Sequence, residues 1–371
     1  MNFELSQEQS LLQESLFTAA RALNPAEPVA QRWRQIAATG IIGTCVAKED
    51  GGSGLGAIEL LLLLEALAEG QQDNGLSFAI AAHTLSCVIP ISRYGSAEQK
   101  KKFLPGLING SLIAANAMTE SESGSDVFTL KCKADKVNGK YKLNGTKTFI
   151  SNCAEASMAL AYASTDASKG FFGGLTAFLV EEDKFEKGTS FKKMGLESCS
   201  LGQLHFNGVE LANESVLGKE GGGAVIFNYS MEWERICLAG IHLGAMKRVL
   251  EKSVAFVKQR FSQGQSIGKY QGVSHALAEM KTKLEVSRQY AYHAARSLDQ
   301  KKNTGETAAI AKLFISNSVT SFMQQAMQLF GGYGYIADYG IEQEVRDSLA
   351  ATIYSGTSEI QKNIIASHMG I

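Results

Sequence analysis

The chain has 371 residues, of which 45% are apolar and 20% charged, and its formal net charge at pH 7 is −1. That length suits two or three domains with a sizeable core, and the composition is too apolar for a disordered chain. The near-neutral charge argues against nucleic acid as a main partner, which would demand a basic excess. Six scattered cysteines include no C-x-x-C pair, which excludes a zinc ribbon or a dithiol redox motif and reads as reduced thiols.

The N-terminal stretch MNFELSQEQSLLQESL is acidic and amphipathic, unlike a signal or transit peptide. Phe3, Leu5, Leu11, Leu12, Leu16 and Phe17 predict a first helix, broken by Pro25 and Pro28. Gly52-x-Gly54-x-Gly56 predicts a turn, lacking the spacing and setting of a dinucleotide loop. The run from Ala57 to Gly70 is apolar but too short, and too interrupted by Glu59 and Glu65, to span a bilayer. A soluble, cytoplasmic protein with no membrane span is expected. A helix from about 72 to 94 follows, then another whose N-cap is Ser96.

From about Ala114 the pattern turns to strands. Thr129–Ala134 alternates at period two, and Asn138-Gly139 and Asn144-Gly145 read as hairpin turns. Further strands are predicted over 158–163, 175–180 and 204–209. After Gly221-Gly222-Gly223 the chain is helical again, over about 224–261, 271–300, 305–330 and 341–351. The predicted division is a helical domain over 1–113, a β domain over 114–218 and a helical domain over 219–371.

No P-loop, zincin or nucleophile-elbow motif is present, and the six histidines show no ligand spacing, so no metal is expected. Tyr290, Tyr292, His293 and Arg288 are explained by packing. Three polar, glycine-bearing segments can present backbone donors to an anion or a heteroaromatic ring: Asn116–Asp126, Gln328–Tyr335 and Tyr354–Glu359. Each also reads as an ordinary loop or helix cap. The sharpest single residue is Glu234. Its helical neighbours Phe227, Ser230, Met231, Leu238 and Ile241 form a mostly apolar stripe with no cation at i±3 or i±4, whereas Glu232 has Arg235 at i+3. Desolvation on such a face raises a carboxyl toward the range useful in a general base. A salt bridge to a distant cation is the plain alternative.

Taken together, AMTESESGSD (117–126), QLFGGYGY and YSGTSEIQKNIIA resemble the signatures of the acyl-CoA dehydrogenase family, over essentially the whole chain. The resemblance implies an α+β fold with an N-terminal helical domain, a middle β-barrel or sheet domain and a C-terminal four-helix bundle. It implies FAD as cofactor. Met118, Thr119, Gly124 and Ser125 would line the flavin and the start of the acyl channel. Phe149, Ile150 and Ser151 would pack on the flavin. Arg260, Ser262, Gln271, Gln328, Gly331 and Gly332 would reach the adenosine diphosphate part, across a subunit interface in the case of the first three. Thr357, Ser358 and Glu359 would close over the flavin. Substrate would meet Ser125, Trp233, Arg235, Ser355 and Gly356; Trp233 either shapes the acyl pocket or packs in the core.

Three departures stand out. Gln263 replaces the family's usual aromatic, Ser121 stands where the family has proline, and Ser355 occupies the commonest catalytic-glutamate position. A minority branch, which includes isovaleryl-type enzymes, places the base just before an arginine, as in Glu234-Arg235. The resemblance therefore implies α-proton abstraction by Glu234 and hydride transfer to flavin N5, with a small acyl or prolyl thioester on coenzyme A or a carrier protein. An electron-transfer flavoprotein as acceptor and a homotetramer are implied too. A flavin oxidase or monooxygenase on this fold, and a non-catalytic member, are the rival readings.

Overall fold

The computed structural model describes residues 5–371; Phe3 of the first predicted stripe lies outside them. The N-terminal region is built from α1 (Gln7–Arg21), α2 (Val29–Ala37), α3 (Ala57–Gly70), α4 (Asn74–His83), α5 (Ile89–Tyr94) and α6 (Ala97–Ile108). Capping boxes at Ser6 with Gln9 and at Ser96 with Gln99 start α1 and α6. The α3 N-terminus is capped from afar: Asp299 accepts from the N–H groups of Ala57 (2.7 Å) and Ile58 (3.3 Å). Gly52 lies where its backbone must pass close, since a Cβ there would sit 2.2 Å from the Val46 carbonyl oxygen.

α4 and α5 are joined without a loop by a π turn, Thr84–Val88. Residues 74–94 thus form one helical rod, long and apolar enough to cross a membrane but almost wholly buried inside the protein. His83 ties this rod to the sheet that follows. Its Nδ1 accepts from the Ala114 N–H at 3.0 Å, which leaves the proton on Nε2 to donate to the Leu107 carbonyl at 3.1 Å.

A seven-stranded sheet comes next: β1 (Ala114–Ala117), β2 (Lys133–Val137), β3 (Lys140–Ser151), β4 (Met158–Ser164), β5 (Leu175–Glu181), β6 (Glu186–Lys187) and β7 (Leu201–Leu211), with a single helical turn α7 (Phe171–Gly174) before β5. The order is β1-β4-β2-β3-β7-β6, with β5 on β4; β1 runs parallel to β4 (Ala114 opposite Met158), and β3 antiparallel to β7 (Tyr141 opposite Leu211). Asn138-Gly139 makes the β2–β3 turn with both residues at positive φ. Asn144-Gly145 does not turn: it lies inside β3 at a register shift, where a Cβ on Gly145 would meet the Cys132 sulfur at 2.7 Å. The alternation at 129–134 also overreaches. The N–H groups of Lys131 and Cys132 donate to the Glu120 carboxylate (2.7 and 3.0 Å) instead of a strand, and β2 starts at Lys133.

The last region holds α8 (Gly223–Cys237), α9 (Ala239–Gln259), a small hairpin β8–β9 (Phe261–Ser262 and Gln265–Ser266), α10 (Gln271–Asp299), α11 (Thr304–Phe330), the short α12 (Gly332–Tyr335), α13 (Ile341–Leu349) and α14 (Ser358–His368). α9, α10 and α11 pack on one another, with α3 laid along α9 and α14 against α11. Glu65, fully buried on α3, is matched by Arg288 (2.7 Å) and the Tyr292 hydroxyl (3.1 Å) from α10. α3 and α9 meet at glycines: a Cβ on Gly244 would sit 2.2 Å from the Glu65 carbonyl oxygen. Gly244→Ala is therefore expected to cost about 1–3 kcal/mol of stability by overpacking, checked as a lower urea midpoint. All six cysteines are free thiols.

Candidate active site

α8 presents Glu234 on its buried face, as the apolar stripe predicts; the residue is 7% exposed. Two hydroxyls hold the carboxylate. Ser355 Oγ donates to Oε1 at 2.5 Å, and Ser86 Oγ lies 3.0 Å from Oε2. Ser86 is also 2.7 Å from the Ala82 carbonyl, so its single proton is shared between two acceptors. It reaches the site because the π turn swings it out of the regular helical phase.

Burial pushes the Glu234 carboxyl above its ordinary pKa. The Ser355 and Ser86 hydrogen bonds, and the charges of Arg235 and Lys312, pull the other way. Removing either hydroxyl leaves burial less opposed. Ser355→Ala and Ser86→Ala are each expected to raise the acidic limb of the kcat/KM profile by about one pH unit, measured with a saturable thioester substrate. The limb moves up because a larger share of the base is then protonated at a given pH.

Arg235 does not pair with Glu232, as its i+3 spacing suggests. Its Nε donates to the Ser355 carbonyl at 3.1 Å, with Gln361 Nε2 donating to the same oxygen at 3.2 Å and to the Gly356 carbonyl at 2.8 Å. Ser355 and Gly356 both sit at positive φ, 56° and 87°. This fixed turn leaves the N–H groups of Ser355 and Gly356 without an acceptor among the described residues. The structure thus brings Glu234, Arg235, Ser355 and Gly356 together. Trp233 is buried against Tyr229 (ring centroids 6.2 Å), and its Nε1 has no hydrogen-bond partner among the described residues.

A second group of sequence-predicted residues lies at the sheet. Lys147, wholly buried, donates to the Met118 carbonyl (2.9 Å) and to Glu120 (2.8 Å), and the Thr148 N–H donates to the Thr119 carbonyl (2.9 Å). That fixes Met118 and Thr119 beside Phe149, Ile150 and Ser151. Phe149 is exposed with φ of 55° and lies near Phe191 (5.6 Å), whereas Ile150 points into the sheet core, so only its backbone can face a ligand. Gly124 and Ser125 are exposed on the same loop. The 74–94 rod joins this group to the base: Asn152, just after Ser151, donates to the Ala79 carbonyl (3.0 Å), and the Phe78 ring packs on Tyr354 (4.7 Å).

Arg260, Ser262 and Gln271 form a third group with the segment after α11. The Arg260 guanidinium lies over the Tyr333 ring (5.3 Å), and the Tyr270 hydroxyl donates to the Ser262 carbonyl (3.0 Å). Gln328, Gly331 and Gly332 are exposed nearby in the chain, and a Cβ on either glycine would meet nothing within 4 Å. No hydrogen bond, ion pair or ring contact among the described residues joins this group to Phe149. Thr357 caps α14, Glu359 is exposed, and the buried Ser358 hydroxyl has no hydrogen-bond partner among the described residues.

The residues fit a flavin. An outward-facing aromatic at Phe149, an unpartnered Ser358 hydroxyl in the first turn of α14 and open glycine backbone at 331–332 suit a planar ring system with a charged tail. Among the described residues no cluster of His, Cys, Asp or Glu could hold a metal ion.

Residues 9–111, 115–209 and 221–370 match the family profiles described as the acyl-CoA dehydrogenase N-terminal, middle and C-terminal domains. The chain is 36% identical to an L-prolyl-[peptidyl-carrier protein] dehydrogenase of Serratia sp., over 100% of this chain and 99% of the relative. Among solved structures it resembles the prolyl acyl carrier protein oxidase AnaB (TM-score 0.96, 34% identity, 99% of this chain and 100% of that one). It also resembles PigA with FAD and proline (TM-score 0.95, 36% identity, 100% and 99%).

Proposed function

The chain belongs to the acyl-CoA dehydrogenase family, and from that premise we propose that it is an FAD-dependent α,β-dehydrogenase of a small acyl thioester on a pantetheine arm, with Glu234 as base. The observation that carries the reading is a buried carboxylate, held by two hydroxyls, beside a rigid turn with unspent N–H groups.

Glu234 takes the α-proton on a carboxylate oxygen. Its burial makes it a stronger base than a solvated glutamate. The N–H groups of Ser355 and Gly356 are placed to donate to the thioester carbonyl oxygen, which acidifies the α-proton. Arg235 and Gln361 keep the turn from relaxing by holding its carbonyls. The apolar walls of α8 and the 74–94 rod keep bulk solvent from the carboxylate. FAD, when bound, supplies the acceptor for the β-hydrogen. Met118, Thr119, Phe149, Ser151 and Ser358 would hold its ring system, and Arg260, Ser262, Gln271 and the 328–332 segment its adenosine diphosphate part.

A prolyl group on a carrier protein is the preferred substrate, supported by the prolyl-specific names of the Serratia relative and AnaB and by the proline in PigA. The protein works in the cytoplasm as a homotetramer and passes electrons to an electron-transfer flavoprotein. The outward apolar side chains Ile310, Leu313 and Phe314 of α11, around a shallow hollow of about 410 Å³, support self-association. The oxidase named among the structural relatives supports a second reading, in which the electrons go to oxygen.

The test is anaerobic mixing of the FAD-loaded protein with isovaleryl-CoA, butyryl-CoA, octanoyl-CoA and a prolyl-loaded carrier protein, watching the visible flavin absorption. Bleaching by the prolyl carrier alone supports the preferred substrate; bleaching by a coenzyme A ester alone replaces it. Rapid oxygen uptake in air without an added acceptor favours the oxidase.

A further inference from the structure

Lys312 is a charged group beside Glu234 that the reaction above leaves unused. It lies on the buried face of α11, among Ala308, Ala311 and Ile315, and is 6% exposed. Its Nζ has no hydrogen-bond partner among the described residues. It lines a hollow of about 10 Å³ with Glu234, Arg235, Ser316, Tyr354 and Ser355, room for one water molecule. A buried ammonium without a partner is costly and persists where something offsets it.

The groups around it narrow what that is. Glu234 and Arg235 face it from α8, His242 from α9, Tyr354 from the loop before the 355–356 turn, and Glu359 from α14. Arg235 repels it, and two carboxylates attract it, the solvent-exposed Glu359 more than the buried Glu234. Burial drops His242 to about 4 and pushes the Tyr354 phenol up, so both are neutral at pH 7. Of these groups, Glu234 is the buried anion that gains from the charge.

We propose that Lys312 is a positioning residue for the base: its ammonium, which lines the same water-sized hollow as Glu234 but makes no ion pair with it, keeps the buried carboxylate ionised without blocking proton abstraction. A direct salt bridge would occupy the oxygen that must take the α-proton; a cation at one remove acts through its field alone. Burial, then the repulsion of Arg235, lower Lys312 itself to about 8. That lies below the free value, so the charge is a burden on the fold. The burden grows as pH falls from about 10.5 to about 8 and is constant below.

The proposal rests on Glu234 being the base, and the experiment separates the two. The FAD-loaded enzyme and its Lys312→Met, Lys312→Gln and Lys312→Arg variants are compared by kcat/KM against pH and by melting temperature. Loss of the cation should raise the acidic limb by about one pH unit, while Lys312→Arg keeps it near the wild-type position. Lys312→Met should also melt higher than the wild type at pH 7, because a buried charge has gone; a residue kept for packing would do the reverse. An acidic limb that stays put in both neutral variants overturns the proposal. Should Lys312→Met not fold, the contrast of Gln with Arg decides. Undiminished turnover in Glu234→Gln would instead overturn the assignment of the base itself.

Discussion

Glu234→Gln is expected to lower kcat/KM by about 1,000-fold or more, while the protein stays folded and retains its flavin. The substitution keeps volume and shape on a helix face packed against the 74–94 rod, so the core loses nothing. What it removes is the proton acceptor. The amide can still lie near the Ser86 and Ser355 hydroxyls, but it cannot take a proton from carbon. Rapid mixing with a thioester substrate would show unbleached flavin with binding preserved. The geometry also defines a rescue. Ser355 Oγ lies 2.5 Å from Glu234 Oε1, so a carboxylate grown from position 355 reaches the same space. Glu234→Gln/Ser355→Glu should therefore regain part of the lost rate. If Glu234→Gln keeps its turnover, the base lies elsewhere.

Lys147→Met is expected to destabilise the protein by about 3–5 kcal/mol and to strip it of flavin. Lys147 and Glu120 form an ion pair with 0% and 7% of their side-chain surfaces exposed. Glu120 also accepts the N–H groups of Lys131 and Cys132, and Lys147 donates to the Met118 carbonyl. Removing the ammonium leaves a carboxylate buried without its cation and removes the tie on the Met118 carbonyl, just after β1. The urea midpoint and the flavin-to-protein absorbance ratio after gel filtration report the two effects. Adding Glu120→Gln should return part of the stability, because the charge left behind is gone, but not the flavin, because Met118 is still untethered. A Lys147→Met protein as stable as the wild type would show that the pair contributes no net stability.

The helices and most strands were legible because their apolar periodicity survives into the core. Glu234 was legible for the same reason: a lone carboxylate on an apolar stripe is an energetic anomaly visible without coordinates. Lys312, with Ala308, Ala311 and Ile315 as neighbours, carries the same anomaly in its sequence. Ser86 gave no comparable sign. A serine in a buried helix satisfies itself on a carbonyl one turn back, as it does here with Ala82, and nothing in Thr84–Val88 announces a change of helical phase. Asn144-Gly145 reads as a turn in sequence because asparagine and glycine serve bulges as well as turns, and 129–134 reads as a strand although a side chain takes the hydrogen bonds its alternation promises.

The π turn at Thr84–Val88 makes the chain's length, rather than its composition, part of the site. A π turn carries one residue more than the α-helix it interrupts. Deleting any single residue there would mend the hydrogen-bond ladder and yield a more regular rod. The same repair would rotate one end of that rod by about 100° against the other, parting Ser86 from Glu234, or else Asn152 from the Ala79 carbonyl. Selection for a smoother helix and selection for a working site therefore pull in opposite directions at this point. The extra residue, which weakens the helix on its own, serves as the joint between the sheet and the base.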